Sequence, residues 1–276
     1  MFVSVVILTL NEEINLPGCL ESLSWCDDVV VFDSYSTDRT EQIAHDMGAR
    51  LSQREFDNYS AQRNAALTEV EYKHPWVLMV DADERTTPEL VEEIDKIVVS
   101  ANEDMTLYRL RRKDYFMGRW LKRSTGYPTW FGRLMKLGRV RFEREINEDT
   151  FTDGQTGMLK EHLIHYPFNK GIRFWLERHN RYSSLEAAAL VEEARQKLRF
   201  GDILSSKPPV RRRALKQLAY RSPFRPSLVF FYLYLVRLGI LDGLPGLRYC
   251  RMRAIYEYMI DLKIKELRRR TKGLPI

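Results

Sequence analysis

The sequence predicts an α/β protein with a mostly parallel sheet flanked by helices and a basic, amphipathic helical extension at the C-terminus. Apolar, β-branched runs of strand length alternate with segments of helical spacing over the first hundred residues, which is typical of βαβ units. Polar and acidic side chains follow the strands directly. Beyond residue 206 the sequence is helical in pattern and strongly basic. The chain of 276 residues is long enough for one full domain and a smaller appendage.

The first half of the chain contains four predicted strands, each a short apolar run: Val3–Leu10, Asp28–Asp33, Ala49–Leu51 and Trp76–Asp81. Helical spacing, with a Gly stop after the second helix and a Pro start for the fourth, predicts helices over Glu12–Leu23, Thr40–Gly48, Ala61–Val70 and Thr87–Ser100.

The second half of the chain follows a different pattern. Met105–Arg112 and Arg133–Phe142 are strand-like and are expected to add mixed strands beside the site. Residues 172–200 are predicted to be helical, and Pro208-Pro209 indicates a boundary. We therefore expect a catalytic domain over 1–206, with a nucleotide-binding half at about 1–105 and an acceptor half at about 106–206. The helical extension then covers 207–276.

The net charge of +6 hides an asymmetry between these two parts. Residues 207–276 contain 17 Lys and Arg against 4 Asp and Glu, whereas residues 1–206 are net acidic. A basic segment with interfacial aromatics and an apolar helical stripe fits adsorption to an anionic membrane surface, which we assign to 211–270. The predicted stripe contains Leu247, Cys250, Ala254, Ile255, Tyr258, Leu262 and Leu267. Packing of the same helices on the catalytic domain is compatible with this. No recognisable nucleic-acid-binding motif is present, so no nucleic acid partner is expected.

The chain is expected to be cytoplasmic and peripheral on the inner face of the cell membrane. Met1–Ser4 runs directly into an apolar strand, without the basic start and cleavage site of a signal peptide. The longest apolar run, Leu228–Leu241, is interrupted by Arg237 and is shorter than the roughly 20 residues of a spanning helix. Three scattered cysteines indicate reduced thiols.

The strongest chemical signal is the acidic turn Asp81-Ala82-Asp83-Glu84 directly after an apolar strand. Carboxylates two residues apart on a turn can point into one pocket and bind a hard divalent cation through oxygen. The cation, Mg²⁺ or Mn²⁺, would contact two phosphate oxygens of a diphosphate. An ordinary acidic helix start is the structural alternative, but two further polar strand ends upstream favour the metal site.

Those two strand ends lie at Thr9–Glu12 and at Asp33. A carboxylate at a strand end can accept a hydrogen bond from a base or a ribose hydroxyl. Ser36, Thr37 and Asp38 are sufficient to cap the next helix, so capping does not account for Asp33. Arg63, at the start of a helix, could contact a phosphate through two hydrogen bonds, or it could be a solvated surface residue.

Taken together, these motifs resemble family 2 glycosyltransferases in order and spacing. The segments that carry the resemblance are Ser4–Glu12, Val30–Thr40, Ala61–Asn64 and Asp81–Glu84. Leu241-Asp-Gly243, followed by Pro245-Gly246-Leu247, is similar to the branch that contains bacterial lipopolysaccharide-core β-glucosyltransferases. The resemblance implies a GT-A, Rossmann-like fold and inverting transfer of a hexose from a UDP-sugar to a lipid-linked, lipopolysaccharide or polysaccharide acceptor.

By matched position, the resemblance also assigns roles to residues. Thr9, Asn11 or Glu12, and Asp33 would hold the base and ribose. Arg63 would lie near the base or diphosphate, and Asp81 would contact the ribose. Asp83 would coordinate the metal, and His165, after a later strand, would contact the diphosphate or the metal. A structural histidine is the alternative for His165.

The acceptor side departs from the branch pattern. Where the branch usually has Val-His-Glu, this chain has Ile146-Asn147-Glu148, so the histidine is absent. Glu148 remains the candidate general base, which takes the proton from the acceptor hydroxyl. Glu143, Glu145 and Asp149 are close in sequence and could replace it, and a solvated acidic loop is the structural alternative.

Two other functions are alternatives to a glycosyltransferase. A sugar-1-phosphate nucleotidyltransferase would also use acidic metal ligands, but it needs a Gly-rich loop after the first strand, and Thr9–Asn15 contains no glycine. A membrane-associated nucleotide-sugar-binding protein is the other alternative. A non-catalytic membrane-binding scaffold would not need polar groups to converge from three strand ends. Absence of nucleotide binding would favour a scaffold without that site.

Overall fold

The computed structural model describes residues 2–143, 149–193, 201, 205–206, 211, 222 and 224–276. The chain divides into two compact units. The first contains Met1–Tyr115 and Tyr127–Lys170, and the second contains Phe116–Gly126 and Gly171–Ile276.

The first unit is built on one large sheet with helices on both sides. Its strands are β1 (Val3–Thr9), β2 (Val29–Asp33), β3 (Arg50–Gln53), β4 (Trp76–Asp81), β5 (Glu84–Arg85), β6 (Met105–Phe116), β8 (Trp130–Lys136), β9 (Val140–Glu143), β10 (Asp149–Thr152) and β11 (Gln155–His165). Strand β7 (Arg119–Trp120) belongs to the second unit. Its helices are α1 (Leu16–Ser22), α2 (Thr40–Asp46), α3 (Tyr59–Thr68) and α4 (Pro88–Ser100).

The strand order of the sheet is β3-β2-β1-β4-β8-β6-β11-β5. β1 pairs in parallel with β2 and β4, and β2 pairs in parallel with β3. β8 is antiparallel to both β4 and β6, whereas β6 and β11 are parallel. A separate hairpin joins β9 and β10. The predicted mostly parallel sheet with added mixed strands is confirmed.

The central strands are apolar on both sides because helices cover both faces of the sheet. Val5 and Ile7 of β1 pack into one core cluster with Leu16 of α1 and Leu90 of α4. Val6, which points to the opposite face, packs into a second cluster with residues of α3. The three layers hold the strand ends, and hence the polar groups beyond them, in fixed positions.

Two helix starts differ from the prediction. The first helix begins at Leu16 rather than Glu12, because Asn11 has a positive φ of 55° and redirects the chain after β1. The third helix begins at Tyr59. There the side chain of Asn58 accepts a hydrogen bond from the Ala61 N–H, which is the usual way of satisfying a free amide at a helix start.

The second unit is mainly helical. It contains α5 (Gly171–Glu193), α6 (Arg225–Phe231), a π-helical turn (Tyr232–Val236), a 3₁₀ turn (Gly239–Asp242) and α7 (Gly243–Thr271). We expected the boundary at residue 206, but the compact units divide at Lys170. The reason is that α5 packs against α7, where Lys263 donates hydrogen bonds to Asn180 and Ser183.

The segment Leu241–Leu247, which resembles the lipopolysaccharide-core glucosyltransferase branch, has a packing role in this unit. One carboxylate oxygen of Asp242 accepts hydrogen bonds from the N–H and the hydroxyl of Ser124, at 2.7 and 2.6 Å. At Gly246, an added Cβ would lie 2.5 Å from the carbonyl oxygen of Gly239. The Asp and the second Gly of Leu241–Leu247 are therefore needed for the tight packing at the start of α7.

The extension is helical where the structure describes it. Residues 207–210, 212–221 and 223 lie outside the described residues. We expected Cys250, Ile255, Tyr258 and Leu262 to share one stripe on α7. Cys250 is buried, but the other three are about half exposed, because the packed face runs through Cys250, Ile260 and Ile264 instead.

Within the described residues, length and composition allow no single helix to cross a bilayer. One bent pair, Arg225–Val236 with Gly239–Thr271 at 74°, meets both criteria when its two parts are taken together.

Candidate active site

Predicted site residues from three strands meet at one edge of the sheet. In the parallel register, Thr9 pairs with Asp33 and Leu8 pairs with Asp81, so β1, β2 and β4 end at the same level. Ligands of open α/β sheets bind at such carboxyl ends. Asp33 and Asp81 thus lie at the ends of the two strands that flank β1, and Asp83 follows in the turn.

Asp33 is fully buried and organises the turn after β2. One oxygen accepts hydrogen bonds from the hydroxyls of Thr9 and Ser36, at 2.7 and 2.5 Å, and the other accepts from the Ser36 N–H at 2.7 Å. Turn structure rather than helix capping thus accounts for the hydrogen bonds of Asp33. Its assignment to the base or ribose stays a prediction.

Asn11 and Glu12 join the turn after β1 to the turn after β2. The Asn11 side-chain oxygen accepts a hydrogen bond from the Thr37 N–H at 2.7 Å. Glu12 accepts from Lys170 at 2.5 Å. Burial raises the pKa of Glu12, and the charge of Lys170 opposes that rise. Lys170, which sequence reasoning missed, brings a positive charge to this edge.

Asp81 is held by two arginines. Arg133 contacts one carboxylate oxygen at 2.5 Å and Arg63 contacts the other at 3.2 Å. Arg133 also binds the fully buried Glu84 at 2.8 Å, and Glu84 accepts the Asp81 N–H at 3.0 Å. Burial opposes ionisation, but Arg133 and Arg63 hold the pKa of Asp81 well below its ordinary value. Arg63 is mostly buried and paired with Asp81, so it is not a solvated surface residue. Its contact with the base or diphosphate stays a prediction.

Asp83 faces a histidine rather than an arginine. Its carboxylate lies 3.3 Å from His165 Nε2, and His165 Nδ1 lies 2.7 Å from Asp114. Burial disfavours the imidazolium, but the charge of Asp83 outweighs it and raises the pKa of His165 to about 9. Burial also opposes ionisation of Asp83, whose pKa is nevertheless lowered by His165.

This arrangement fits a divalent cation. A carboxylate on Nδ1 orients a ligating histidine with Nε2 towards the metal, and Asp114 lies on Nδ1 of His165 in this way. Binding of a cation would displace the Nε2 proton that faces Asp83. Among the described residues, no group of three His, Cys, Asp or Glu side chains is placed to hold a metal ion. Mg²⁺ commonly uses only one or two carboxylates together with substrate phosphates and water, so Asp83 and His165 suit a cation shared with a diphosphate.

A cavity of about 380 Å³ adjoins Asp81. It is lined by the carboxylate of Asp81, four arginines and several aromatic side chains: Arg63, Asp81, Arg109, Arg112, Trp130, Phe131, Gly132, Arg133, Phe142 and Thr150. Phe142 and Thr150 belong to β9 and β10, on either side of residues 144–148.

The predicted base itself lies outside the described residues, as does Glu145. Glu148 therefore stays a prediction, and the side chain of Asp149 is likewise outside the description. Glu143 is described: it is partly exposed and pairs with Arg141 at 2.9 Å.

Sequence reasoning missed Arg133, Asp114 and Lys170. Arg133 had a usable signal, because a charged residue inside the apolar strand Trp130–Lys136 requires a buried partner. Asp114 and Lys170 had none, since their partners lie 51 and 158 residues away in sequence.

Two proteins of similar sequence are named as glycosyltransferases. The chain is 28% identical to the lipopolysaccharide core biosynthesis glycosyltransferase LpsC of Rhizobium meliloti, over 95% of this chain and 91% of that protein. It is 30% identical to an uncharacterized glycosyltransferase of Rickettsia prowazekii, over 70% of each chain.

A solved structure matches this chain over less than half of its own length. Glucosyl-3-phosphoglycerate synthase from Mycobacterium tuberculosis, in complex with Mn²⁺, UDP-glucose and phosphoglyceric acid, matches with a TM-score of 0.34 and 25% identity, over 42% of this chain and 44% of that chain. A similarity at this level does not extend to ligands or activity.

The family assignment rests on a broader match. The model of glycosyl transferase family 2 matches residues 4–166. This range is more than half of the chain and contains the strand ends, the acidic turn and His165. The chain belongs to glycosyl transferase family 2.

Proposed function

We propose that this glycosyltransferase moves a hexose from a UDP-sugar to a lipid-linked or lipopolysaccharide acceptor with inversion, and that it needs Mg²⁺ or Mn²⁺. The observation that carries the proposal is the trio of Asp83, His165 and Asp114 next to the converging ends of β1, β2 and β4. It combines oxygen and nitrogen donors suited to a cation with polar groups suited to a nucleotide.

The nucleotide would lie along that edge of the sheet. Thr9, Asn11, Glu12 and Asp33 would hold the base and ribose, and Asp81 would contact the ribose. Because Asp33 and Asp81 already accept hydrogen bonds from protein groups, their carboxylates are held in place before the ligand binds. Such preorganisation reduces the entropy lost on binding. Arg63 would direct its guanidinium towards the base or diphosphate.

Asp83 and His165 would hold the cation, and Asp114 would orient His165. When bound, a divalent cation stabilises negative charge on the leaving diphosphate. The protein groups around it are prepared for this: Asp81 and Glu84 are tied to Arg133, so Asp83 presents its carboxylate without a competing guanidinium among the described ion pairs.

In the proposed reaction, Glu148 accepts the proton of the acceptor hydroxyl. The hydroxyl oxygen then forms a bond to the anomeric carbon of the sugar. The bond between that carbon and the diphosphate oxygen breaks on the opposite face, and its electron pair leaves with UDP. This displacement inverts the anomeric configuration.

The acceptor class is supported by the similarity to LpsC, which extends over 95% of the chain. Lipid-linked acceptors are presented at a membrane, and the second unit has features suited to that surface. Ten large apolar or aromatic side chains between residues 224 and 244 are exposed: Phe224, Leu228, Phe231, Tyr232, Leu235, Val236, Leu238, Ile240, Leu241 and Leu244.

We propose that this apolar segment and the basic residues within 211–270 hold the enzyme on the inner face of the cell membrane. The cytoplasmic leaflet carries a negative surface potential, which attracts basic segments by about 1 kcal/mol for each Lys or Arg near the surface. Three arginines, Arg268 to Arg270, lie in the last turn of α7. Exposed aromatic and aliphatic side chains would enter the interface.

The first prediction concerns the metal ligand. Asp83→Asn is expected to lower metal-dependent turnover of UDP-hexose by at least about a hundredfold, because an amide oxygen is a much weaker cation ligand than a carboxylate. The measurement is release of UDP at saturating Mn²⁺. Asp153→Asn, an exposed carboxylate paired with Arg139, is the matched control and should leave turnover unchanged. Equal rates for Asp83→Asn and the control would exclude Asp83 as a metal ligand.

The second prediction concerns the base. Glu148→Gln is expected to reduce kcat by about 10²–10⁴-fold, the usual contribution of a general base, and to leave the KM for the UDP-sugar unchanged. Glu143→Gln should have little effect, because Glu143 is partly exposed and paired with Arg141. A large loss in Glu143→Gln and none in Glu148→Gln would reverse the assignment.

The third prediction concerns the membrane. The double variant Leu235→Asp, Val236→Asp should bind anionic lipid vesicles at least about tenfold more weakly, since two exposed apolar side chains become charged. Vesicle sedimentation measures this. The control is Val99→Asp in α4, because Val99 is as exposed as Val236, at 69%. Binding that neither the double variant nor added salt weakens would contradict membrane attachment through this segment.

A further inference from the structure

The cavity beside Asp81 carries more positive than negative charge. Among the residues that the structure describes, four guanidinium groups line it, from Arg63, Arg109, Arg112 and Arg133, against one carboxylate, that of Asp81. Arginines in such a cluster repel one another unless acidic groups or a ligand compensate for their charge. The charge balance of the described residues therefore indicates what the cavity is built to bind.

Three of these arginines have acidic partners. Arg63 and Arg133 bind Asp81, and Arg133 also binds Glu84. Arg112 lies 3.3 Å from Asp114 and 3.6 Å from Glu84. No ion pair joins Arg109 to a carboxylate within the described residues. Three carboxylates thus face four guanidinium groups, and the charge of Arg109 is the one left over.

Two of these guanidinium groups, those of Arg112 and Arg133, lie against an aromatic ring. The Arg112 guanidinium lies 4.4 Å from the ring centroid of Phe131, and that of Arg133 lies 5.9 Å from the same ring. Cation–π contacts of this kind fix a guanidinium without using its N–H groups. The N–H groups of Arg112 and Arg133 are already engaged by carboxylates. Among the described residues of the cavity, Arg109 is therefore the guanidinium best placed to bind an oxyanion, which it can do with two parallel hydrogen bonds.

The cavity lies mostly in the half of the catalytic domain that is predicted to bind the acceptor, residues 106–206. Eight of its ten lining residues lie on β6, β8, β9 or β10, and only Arg63 and Asp81 come from the half that contains the predicted nucleotide contacts. Trp130 and Phe131 add apolar surface beside the charged groups. Its volume of about 380 Å³ falls within the range of small-molecule sites.

We propose that this cavity binds an oxyanion, a phosphate or a carboxylate, carried by the acceptor sugar. The acceptor that fits is therefore a phosphorylated or acidic sugar, with the oxyanion on Arg109 and the ring against Trp130 and Phe131. The inference rests on the proposed function and adds a substrate class to it. The same chemistry could come from a uronic acid in the donor, so the experiment separates these two sources.

The test uses binding to the full chain, saturated with UDP and Mn²⁺, measured by calorimetry. The probes are glucose 6-phosphate, glucuronate and glucose. The two anions should bind at least about tenfold more tightly than glucose, since a charge-assisted hydrogen bond contributes on that scale. Arg109→Gln should remove most of this difference, and Arg109→Lys should keep part of it. Arg139→Gln, an exposed arginine paired with Asp153, should keep all of it.

A second arm compares UDP-glucuronate with UDP-glucose. If the acceptor supplies the oxyanion, Arg109→Gln weakens glucose 6-phosphate and leaves the affinity ratio of the two donors unchanged. A change in the donor ratio alone would place the donor carboxylate in the cavity and overturn the acceptor assignment. Equal binding of the three probes, or an unchanged preference in Arg109→Gln, would overturn it as well.

Binding of UDP to the same samples keeps the two claims apart. Wild-type protein that does not bind UDP would contradict the proposed function. Protein that binds UDP normally but shows no anion preference would contradict only the cavity assignment.

Discussion

The active-site edge depends on the buried ion pairs of Arg133. This arginine lies inside β8, only 3% exposed, and binds both Asp81 and Glu84. A charge buried this deeply is stable only when it is paired and hydrogen-bonded. By holding the first and last acids of Asp81–Glu84 together, Arg133 fixes the shape of the turn. The carbonyl oxygen of Asp83, which accepts the Tyr166 N–H at 2.9 Å, ties the turn to the chain after β11.

The three acids of this turn consequently have three different environments. Glu84 is fully buried and structural, Asp81 is neutralised by two arginines, and Asp83 faces His165. A sequence of three nearby carboxylates would otherwise repel one another. Positive groups reduce this repulsion, because Arg133 lies between Asp81 and Glu84 and His165 faces Asp83. The division of roles is produced by residues from β8 and β11, far away in sequence.

Part of this could be predicted from sequence and part could not. The strands and the acidic turn are predictable because apolar runs and the residues that end them are local patterns. The charged partners that complete the site are not, because Arg133, Asp114 and Lys170 become neighbours of Asp81, His165 and Glu12 only when distant segments fold together. The stripe on α7 is similar, because helical spacing groups Cys250 with Ile255 and Tyr258 but does not show that Cys250 is buried while the other two are half exposed. The branch motif at Asp242 and Gly246 is a packing requirement that spacing alone does not distinguish from a site.

The central claim is that carboxyl-end groups of β1, β2 and β4 and the pair Asp83–His165 bind one nucleotide diphosphate with one cation. Calorimetric titration of UDP into the unmodified protein, with Mn²⁺ and then with excess EDTA, tests it most directly. The account predicts one site per chain and an affinity at least about tenfold higher with Mn²⁺, because the cation neutralises the diphosphate between Asp83 and the phosphate oxygens. Equal affinity in EDTA, or no UDP binding in either condition, would contradict it.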